Sequence, residues 1–450
     1  MTRPTVMWFR RDLRLADNPA LAEAARRGQV LPLFVIDPAL WEPAGANRRW
    51  FLLGCLDALS ADLDGRLVVR VGDPVEVVPS AAREVDASAV VCAADHGPYG
   101  RRRDEEVERV LDGDEVPLER IGSAYAVEPG TVVNRTDAPY KVFTPFYRAW
   151  RDVGWPDPVQ RPRSLEAVTG IASDPLPDRP DVAADLPEPG EAAARRRLDT
   201  FLRHRVERYG ELRDEPAQDA TSRLSPYLKW GCLHPRQILH RLGRTEGEET
   251  FRSEVAWREF YADVLLDRPD TTRRAYQEKM RRMRVDAGRR ADERFAAWAE
   301  GRTGYPLVDA GMRQLLGEGW VHNRVRMVVA SFLVKDLHVD WSRGAHHFMQ
   351  HLVDGDLASN THGWQWVAGT GTDAAPFFRI FNPVSQSKKF DPDGDYIRRW
   401  VPELAHLDRR RIHEPWTAPA DLFGDADYPE PIVDHAAERE EALARYDEVR

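Results

Sequence analysis

Two tryptophans, Trp364 and Trp366, stand close together in the segment HGWQWVAGTGTD. The glycines and threonines around them are more typical of a pocket wall than of a helix interior. Packing explains most tryptophans in most proteins, but aromatic walls of a concave site also stack on flat rings such as flavins or nucleobases. The same half of the chain contains Trp230, Trp257, Trp298, Trp320, Trp341, Trp400 and Trp416.

Three histidines, His346, His347 and His351, lie in GAHHFMQHL. Two of them are four residues apart, a spacing that places both side chains on one helix face and can bind zinc. The chain has no HExxH motif and no evident third ligand, so a packed or solvated helix is the expected outcome. We predict no metal site.

The composition is that of an ordinary globular protein, with 42% hydrophobic and 31% charged residues among 450. The formal net charge of -10 disfavours nonspecific adhesion to nucleic acid, so any DNA contact requires basic residues gathered locally. No apolar run is long enough for a membrane helix, and the N-terminus lacks a signal-peptide pattern. Together with three dispersed cysteines, Cys55, Cys92 and Cys232, these features predict a cytoplasmic protein.

Short β-rich runs alternate with amphipathic stretches over the first 135 residues: TVMWF, VLPLFVID, RLVVRVG and SAVVCAA. This alternation predicts an α/β domain with a mostly parallel, Rossmann-like sheet over 1–135. No GxGxxG follows these strands, so ordinary NAD chemistry is unlikely there. A Pro-rich connection is expected over 136–190, and helical periodicity from Glu191 predicts an all-α domain over 191–450.

Five long motifs resemble the DNA photolyase and cryptochrome family, and within it the class I photolyases that repair cyclobutane pyrimidine dimers. The motifs are WFRRDLRLADNPAL at 8–21, TSRLSPYLKWG at 221–231, VAWREFYADVL at 255–265, the segment from GRTGYPLVDAG to FLVKDL at 301–337, and the segment from DGDLASN to FDPDG at 354–394. The resemblance implies light-driven repair by electron transfer from excited, reduced FAD to a flipped-out dimer. It also implies that the helical domain binds FAD.

By motif position, one set of residues would hold the FAD phosphates: Tyr209, Thr221, Ser222, Arg223, Leu224 and Ser225. Hydroxyls and backbone N–H groups at a helix start suit an anion. A second set would surround the isoalloxazine: Asn323, Arg326, Asp354, Asp356 and Asn360. A cation and hydrogen bonds there favour the anionic reduced flavin. Asn360 matches the position facing flavin N5, where photolyases carry Asn.

The resemblance places the dimer between Glu254, Trp257, Met327 and Trp366. The two tryptophans would stack on the flipped-out bases, and Glu254 would hydrogen-bond the pyrimidine carbonyls as negative charge builds on them. Met327 matches the dimer-repairing branch rather than the (6-4) photolyases. The positions expected to contact DNA are Trp257, Arg258, Arg324, Arg379, Lys388 and Lys389.

The electron-relay tryptophans depart from the family pattern, and the antenna chromophore is predicted from a few charged positions only. Trp364 and Trp341 match the first two members of the electron-relay chain, but VDAGRRADE at 285–293 contains no third tryptophan, so Trp298, Trp320 or Tyr305 are the alternatives. The antenna positions are Phe34, Asp37, Arg48, Asp95 and Lys229. They favour 8-hydroxy-5-deazaflavin, with methenyltetrahydrofolate as the alternative.

The main rival function is a cryptochrome-type blue-light photoreceptor on the same scaffold. Glu254, Met327 and Asn360 together argue against it, as does a tail after Trp416 that is too short for a signalling extension. Repair of (6-4) photoproducts and a flavoprotein electron carrier are weaker rivals. The expected partner is DNA that contains pyrimidine dimers, without an obligate protein partner, and the expected state is a monomer.

Overall fold

The computed structural model describes residues 3–417 and 428–449. The chain divides into two compact units. The sheet unit comprises Met1–Val182, Pro187–Glu207 and Ser222–Pro269, and the helical unit comprises Ala183–Leu186, Arg208–Thr221 and Asp270–Arg450. These boundaries differ from the expected divisions at 135 and 190, because several helices of the C-terminal half are part of the sheet unit.

The sheet unit contains five parallel strands in the order β3-β2-β1-β4-β5. They are β1 (Thr5–Phe9), β2 (Val30–Ile36), β3 (Val68–Val71), β4 (Ala89–Ala94) and β5 (Leu118–Ser123). Strands β1 and β2 are buried along their whole length, as expected for central strands covered by helices on both faces. The predicted α/β, Rossmann-like fold is confirmed. Strand β5, LERIGS, is not among the predicted strands because most of its residues are not apolar.

The helices of the sheet unit connect its strands and continue after β5 in the sequence. They are α1 (Pro19–Arg27), α2 (Pro38–Trp41), α3 (Ala46–Asp62), α4 (Pro74–Glu84), α5 (Pro98–Gly113), α6 (Phe143–Val153), α7 (Glu191–His204), α9 (Ser225–Trp230), α10 (Pro235–Leu239) and α11 (Glu246–Asp267). Residues 154–190 form no helix, in agreement with their proline content.

The helical unit has no strand among its described residues, as the periodicity predicted. Its helices are α8 (Tyr209–Leu212), α12 (Arg289–Ala299), α13 (Pro306–Glu318), α14 (Asn323–Ser331), α15 (Trp341–His351), α16 (Leu357–Ala368), α17 (Pro383–Phe390), α18 (Asp395–Trp400) and α19 (His435–Asp447). A π-helical turn, Phe332–Asp336, extends α14. In the described part of the chain, no helix combines the length and apolarity needed to cross a membrane.

Helix α11 is fixed at both its start and its middle. Thr245 and Glu248 form a capping box, in which each side chain accepts a hydrogen bond from the backbone N–H of the other residue. About three turns later the buried carboxylate of Glu259 accepts from the backbone N–H groups of Ala126 at 2.5 Å and Val127 at 3.1 Å. It also accepts from Trp150 Nε1 at 2.6 Å. Burial raises the pKa of Glu259, and these donors oppose the rise.

We expect Glu259→Ala to lower the free energy of unfolding by about 3 kcal/mol or more, because it leaves buried donors unsatisfied at about 1–3 kcal/mol each. Urea denaturation followed by circular dichroism measures the change. Glu246→Ala, an exposed carboxylate in the first turn of the same helix, is the control and should change stability by no more than about 0.5 kcal/mol. Equal stability of the two variants would contradict the anchoring role.

Candidate active site

The flavin positions of the helical unit are organised around an ion pair. Arg326 in α14 donates from Nη2 to Asp354 Oδ2 at 3.0 Å, and its Nε donates to the carbonyl of Val321 at 2.7 Å. Asp354 is buried, and within the described residues its Oδ1 has no hydrogen-bond partner. A buried carboxylate oxygen without a donor is costly, so this site favours a ligand that supplies an N–H group.

Helix α16 presents two more of these positions. Asp356 is its N-cap and accepts from Ser359 N at 3.1 Å. Asn360, one turn later on the same face, donates from Nδ2 to the carbonyl of Ala345 at 2.9 Å. Because the amide N–H is used in this way, the orientation of the Asn360 side chain is fixed. The carboxylates, the guanidinium and the amide fit the polar edge of a flavin, which offers both donors and acceptors.

The predicted phosphate positions fall in both units. In the helical unit, Tyr209 is buried and its ring packs under the guanidinium of Arg213. In the sheet unit, Arg223 adopts φ of 51°, a left-handed conformation that a non-glycine residue seldom takes without compensation. The carbonyl of Ser222 accepts from Arg197 Nε at 2.8 Å. The helix that follows, α9, has only six residues and therefore a small helix dipole. Binding of a phosphate at this segment would depend on individual backbone N–H groups.

Helix α11 carries the first two predicted dimer contacts. Glu254 and Trp257 are three residues apart and share one face, and both are half-buried. The ring of Trp257 stacks on Phe143 of α6, with centroids 3.7 Å apart and an interplanar angle of 10°. A tryptophan supported on one face in this way is a rigid platform for a flat base.

The other two dimer contacts belong to the helical unit. Met327 in α14 and Trp366 in α16 are partly buried against its core. The expectation that Trp364 and Trp366 lie outside a helix interior was wrong. Both are inside α16, as is Gly363, and the remaining glycines and threonines of that segment begin at the helix C-cap, Gly369.

Trp364 is buried, and its aromatic neighbours include Trp298 and Phe348. The centroids of Trp364 and Trp298 are 6.0 Å apart in an edge-to-face arrangement. A Cβ atom added at Gly344 of α15 would lie 2.2 Å from the Trp364 ring, so the absence of a side chain there lets α15 approach α16 closely. Trp341 is also buried and opens α15.

The predicted DNA contacts differ in their availability. Arg324 forms a two-point ion pair with Asp214, at 2.6 and 3.2 Å, and Lys388 pairs with Glu414. Arg258 donates to the carbonyl of Ala124 at 2.9 Å and lies over the Tyr125 ring. Lys389 lies over the ring of Phe390. Arg379, in contrast, is exposed on the segment before α17.

The antenna positions lie in the sheet unit, where Asp37 and Asp95 directly follow the carboxyl ends of β2 and β4. Asp37 accepts from the hydroxyl of Tyr99 at 2.5 Å, and Asp95 accepts from Gly97 N at 3.0 Å. Phe34 and Arg48 are buried, and Lys229 lies over the ring of Trp230. The carboxyl edge of a parallel sheet is where α/β folds bind ligands, so the location suits a chromophore.

Two of the three histidines of α15, His347 and His351, are partly buried and pack against each other, whereas His346 is exposed. The rings of His347 and His351 are 4.5 Å apart, and His347 also contacts Trp298. Burial lowers the pKa of His347 to about 4. No cluster of three or more potential metal ligands occurs in residues 3–417 and 428–449.

Comparison with known proteins matches both halves of the chain. Residues 5–163 match the family model described as DNA photolyase, and residues 251–448 match the FAD binding domain of DNA photolyase. A deoxyribodipyrimidine photo-lyase from Streptomyces griseus is 43% identical over 459 residues, covering 99% of this chain and 98% of its own. The chain belongs to the DNA photolyase family. Its FAD-binding domain is therefore established, whereas assignment to class I stays a prediction.

Two solved photolyase-family structures have the same fold. A bacterial class III photolyase from Agrobacterium tumefaciens is 40% identical, with a TM-score of 0.94 over 100% of this chain and 98% of its own. A cryptochrome from Synechocystis is 28% identical, with a TM-score of 0.90 over 98% of each chain. A photolyase and a cryptochrome therefore both share this fold, and the fold alone does not decide the function of this chain.

The sequence reasoning missed Phe143, the residue that supports Trp257. A signal existed, because FTPFYRAW places Phe143, Phe146, Tyr147 and Trp150 at helical spacing. The segment was instead assigned to an irregular connection because of the prolines that follow it.

We expect Trp298→Phe to slow the light-driven reduction of the flavin in this photolyase-family protein, because phenylalanine is much harder to oxidise than the tryptophan that contacts Trp364. Loss of oxidised-flavin absorbance under blue light with a thiol reductant measures the rate. Trp400→Phe is the control, since that ring packs beside Gly317 and Arg399. Wild-type rates in Trp298→Phe would exclude this residue from the electron route and favour Trp341.

Proposed function

We propose that this protein repairs cyclobutane pyrimidine dimers in DNA in a light-driven reaction that uses reduced FAD. The observation that carries the proposal is the shared face of α11, where half-buried Glu254 stands one turn before Trp257 and Trp257 stacks on Phe143. Full-length relatives named deoxyribodipyrimidine photo-lyase support it.

Reduced FAD, when bound and excited by light, would supply the electron that opens the cyclobutane ring, with no net change of oxidation state. The residues proposed to hold it are the phosphate-binding segment from Thr221 to Ser225 with Tyr209, and the flavin-ring residues Asn323, Arg326, Asp354, Asp356 and Asn360. The positive charge of Arg326 and the fixed amide of Asn360 favour the reduced, anionic ring.

The dimer must leave the base stack to react, as it does in the enzymes that act on bases, photolyases among them. We assign the stacking surfaces to Trp257 and Trp366 and an apolar contact to Met327. Glu254 hydrogen-bonds the pyrimidine carbonyls, where negative charge develops, and it must carry its proton to donate.

Binding of the DNA backbone is assigned to Arg258, Arg324, Arg379, Lys388 and Lys389. Arg379 is the leading member, because its side chain is exposed and it stands beside Phe378, which is 62% exposed. Arg324 and Lys388 are already paired with carboxylates. To bind a DNA phosphate, each of them must first leave its carboxylate partner, and this lowers the net free energy gained from the phosphate contact.

An antenna chromophore at the carboxyl edge of the sheet is part of the same proposal. We assign it to 8-hydroxy-5-deazaflavin, held by Phe34, Asp37, Arg48, Asp95 and Lys229, with methenyltetrahydrofolate as the alternative. Titration of the purified protein with each chromophore distinguishes them. Energy transfer, seen as chromophore fluorescence quenched when FAD is bound, should occur with only one of the two.

The alternative function is a blue-light photoreceptor, which the likeness to the Synechocystis cryptochrome favours. It requires light to change partner binding without removing dimers from DNA. The two functions therefore make opposite predictions for a repair assay.

We expect the wild-type protein to remove dimers from single- and double-stranded DNA under blue light with a reductant and to be inactive in the dark. Glu254→Ala should lower the repair yield by about two- to twelve-fold, the effect of losing one hydrogen bond worth about 0.5–1.5 kcal/mol. Glu246→Ala, which truncates an exposed glutamate in the first turn of α11, is the matched control. Absence of repair by the FAD-loaded, reduced wild type would refute the proposal and leave the photoreceptor.

A further inference from the structure

The π-helical turn Phe332–Asp336 places two charged side chains inside the helical unit. Lys335 is 1% exposed and Asp336 is 0% exposed. Lysine and aspartate are almost never buried this completely unless they are paired or have a function. Neither residue has a role in the proposed binding of flavin or dimer. A π-helical turn also inserts a residue into a helix, which is often associated with a functional position.

The ammonium group of Lys335 is directed at one surface segment, residues 375–380. Its Nζ donates to the carbonyl of Arg379 at 3.0 Å and lies 5.1 Å from the centre of the Phe377 ring. Burial lowers the pKa of Lys335 to about 7, and the nearby charge of Asp336 only partly opposes this. Lys335 thus holds the backbone carbonyl of Arg379 from inside the helical unit. The residues Phe378 and Arg379 are themselves exposed.

Helix α19 holds the same segment from another side. Phe377 stacks on Tyr446, with centroids 4.9 Å apart and an interplanar angle of 10°. Helix α19 is also hydrogen-bonded to the π-helical turn and the residues after it. His435 pairs with Asp336, and Glu438 pairs with His338. Residues 375–380 therefore pack on Lys335 of the π-helical turn and on Tyr446 of α19.

The two ends of the segment are hydrogen-bonded to helices α16 and α14, which carry the predicted dimer contacts Trp366 and Met327. The backbone N–H of Ala375 donates to the carbonyl of Trp366 at 3.1 Å. At the other end, Phe381 N donates to the hydroxyl of Ser331 at 3.4 Å. Between these attachments the contact from Lys335 restrains the backbone at Arg379.

We propose that Lys335 is a positioning residue for DNA binding, whose buried ammonium group holds the backbone of residues 375–380 so that Arg379 is presented to damaged DNA. The inference rests on the proposed function for the role of Arg379. Burial of the Lys335 ammonium group carries a desolvation cost that an apolar side chain of similar size avoids. A positioning role therefore predicts that stability and DNA affinity respond differently to its removal.

The first test is Lys335→Met in the FAD-loaded protein, compared with wild type for binding to a dimer-containing duplex by fluorescence anisotropy. We expect Kd to rise about three- to ten-fold, the effect of losing one restraining hydrogen bond. The Tm should stay the same or rise, and repair at saturating DNA should be retained. A lower Tm with unchanged Kd would mean that Lys335 is only structural and would overturn the proposal.

The charge control is Lys279→Met, which removes the same charge from an exposed position in the helical unit. An equal loss of affinity in this variant would assign the effect to net charge and reject positioning. Lys335→Arg keeps a charged donor and should recover part of the affinity that Lys335→Met loses.

The pH dependence gives a second readout. The ammonium form predominates below the pKa of about 7, so the affinity difference between wild type and Lys335→Met should shrink as pH rises through that value. Asp336, Arg379, His435 and Glu438 are the other charged or titratable groups around this site. They are present in both proteins, so their titration contributes to both affinities. A difference that is constant with pH would reject control by the Lys335 charge.

Hydrogen exchange separates this inference from the proposed function, since it needs no DNA. The amides of residues 375–381 should exchange faster in Lys335→Met than in wild type. If wild type bound no damaged DNA, the repair proposal and the DNA role of Lys335 would both fail, while faster exchange would still establish its hold on the segment. Unchanged exchange together with normal DNA binding by wild type would overturn the inference alone.

Discussion

Helix α11 depends on one buried carboxylate. Glu259 accepts hydrogen bonds from two consecutive backbone N–H groups, those of Ala126 and Val127, and from the indole of Trp150. Glu259 alone therefore links α11 to the chain segment that follows β5 and to helix α6. Glu254 and Trp257 are on this same helix, and the α6 residue that supports Trp257 is Phe143. The geometry of the proposed dimer contacts on α11 therefore depends on a hydrogen-bond network that includes neither Glu254 nor Trp257.

The helical unit uses buried charge in a related way. Asp354 is neutralised on one oxygen by Arg326, and its other oxygen is left without a donor in the described part of the chain. Lys335 and Asp336 are buried close by in sequence, at the end of the helix that carries Arg326. Each of these groups costs desolvation energy that a purely apolar core would avoid. Their presence is easier to understand if ligand binding or surface positioning compensates for that cost.

Much of this architecture could be predicted from the sequence. The apolar runs of β1 and β2 identified central parallel strands, because both faces of those strands are buried and the pattern is continuous. The polar run of β5 gave no such signal. Helix α6 was hidden by the prolines after it, and with it Phe143. The glycines after Trp366 suggested a pocket wall but instead end a helix, at Gly369.

The candidate site could be predicted residue by residue only through the family motifs. The composition gave no reason to pair Arg326 with Asp354, since their contact spans 28 positions and depends on how α14 packs. The burial of Lys335 could not be predicted even with the family motifs. A lysine and an aspartate inside FLVKDL resemble a solvated helix face, and only the π-helical turn directs both inward.

The close approach of α15 to α16 has a consequence for how these positions can vary among related proteins. A methyl group at Gly344 would collide with the Trp364 ring and also lie 2.6 Å from Leu333 Cδ2. Any larger residue at 344 is therefore tolerated only together with a smaller ring at 364 or a shift of the helix. The two sites are expected to change as a matched pair, so Gly344 indirectly preserves the identity of a tryptophan that it never contacts through a side chain of its own.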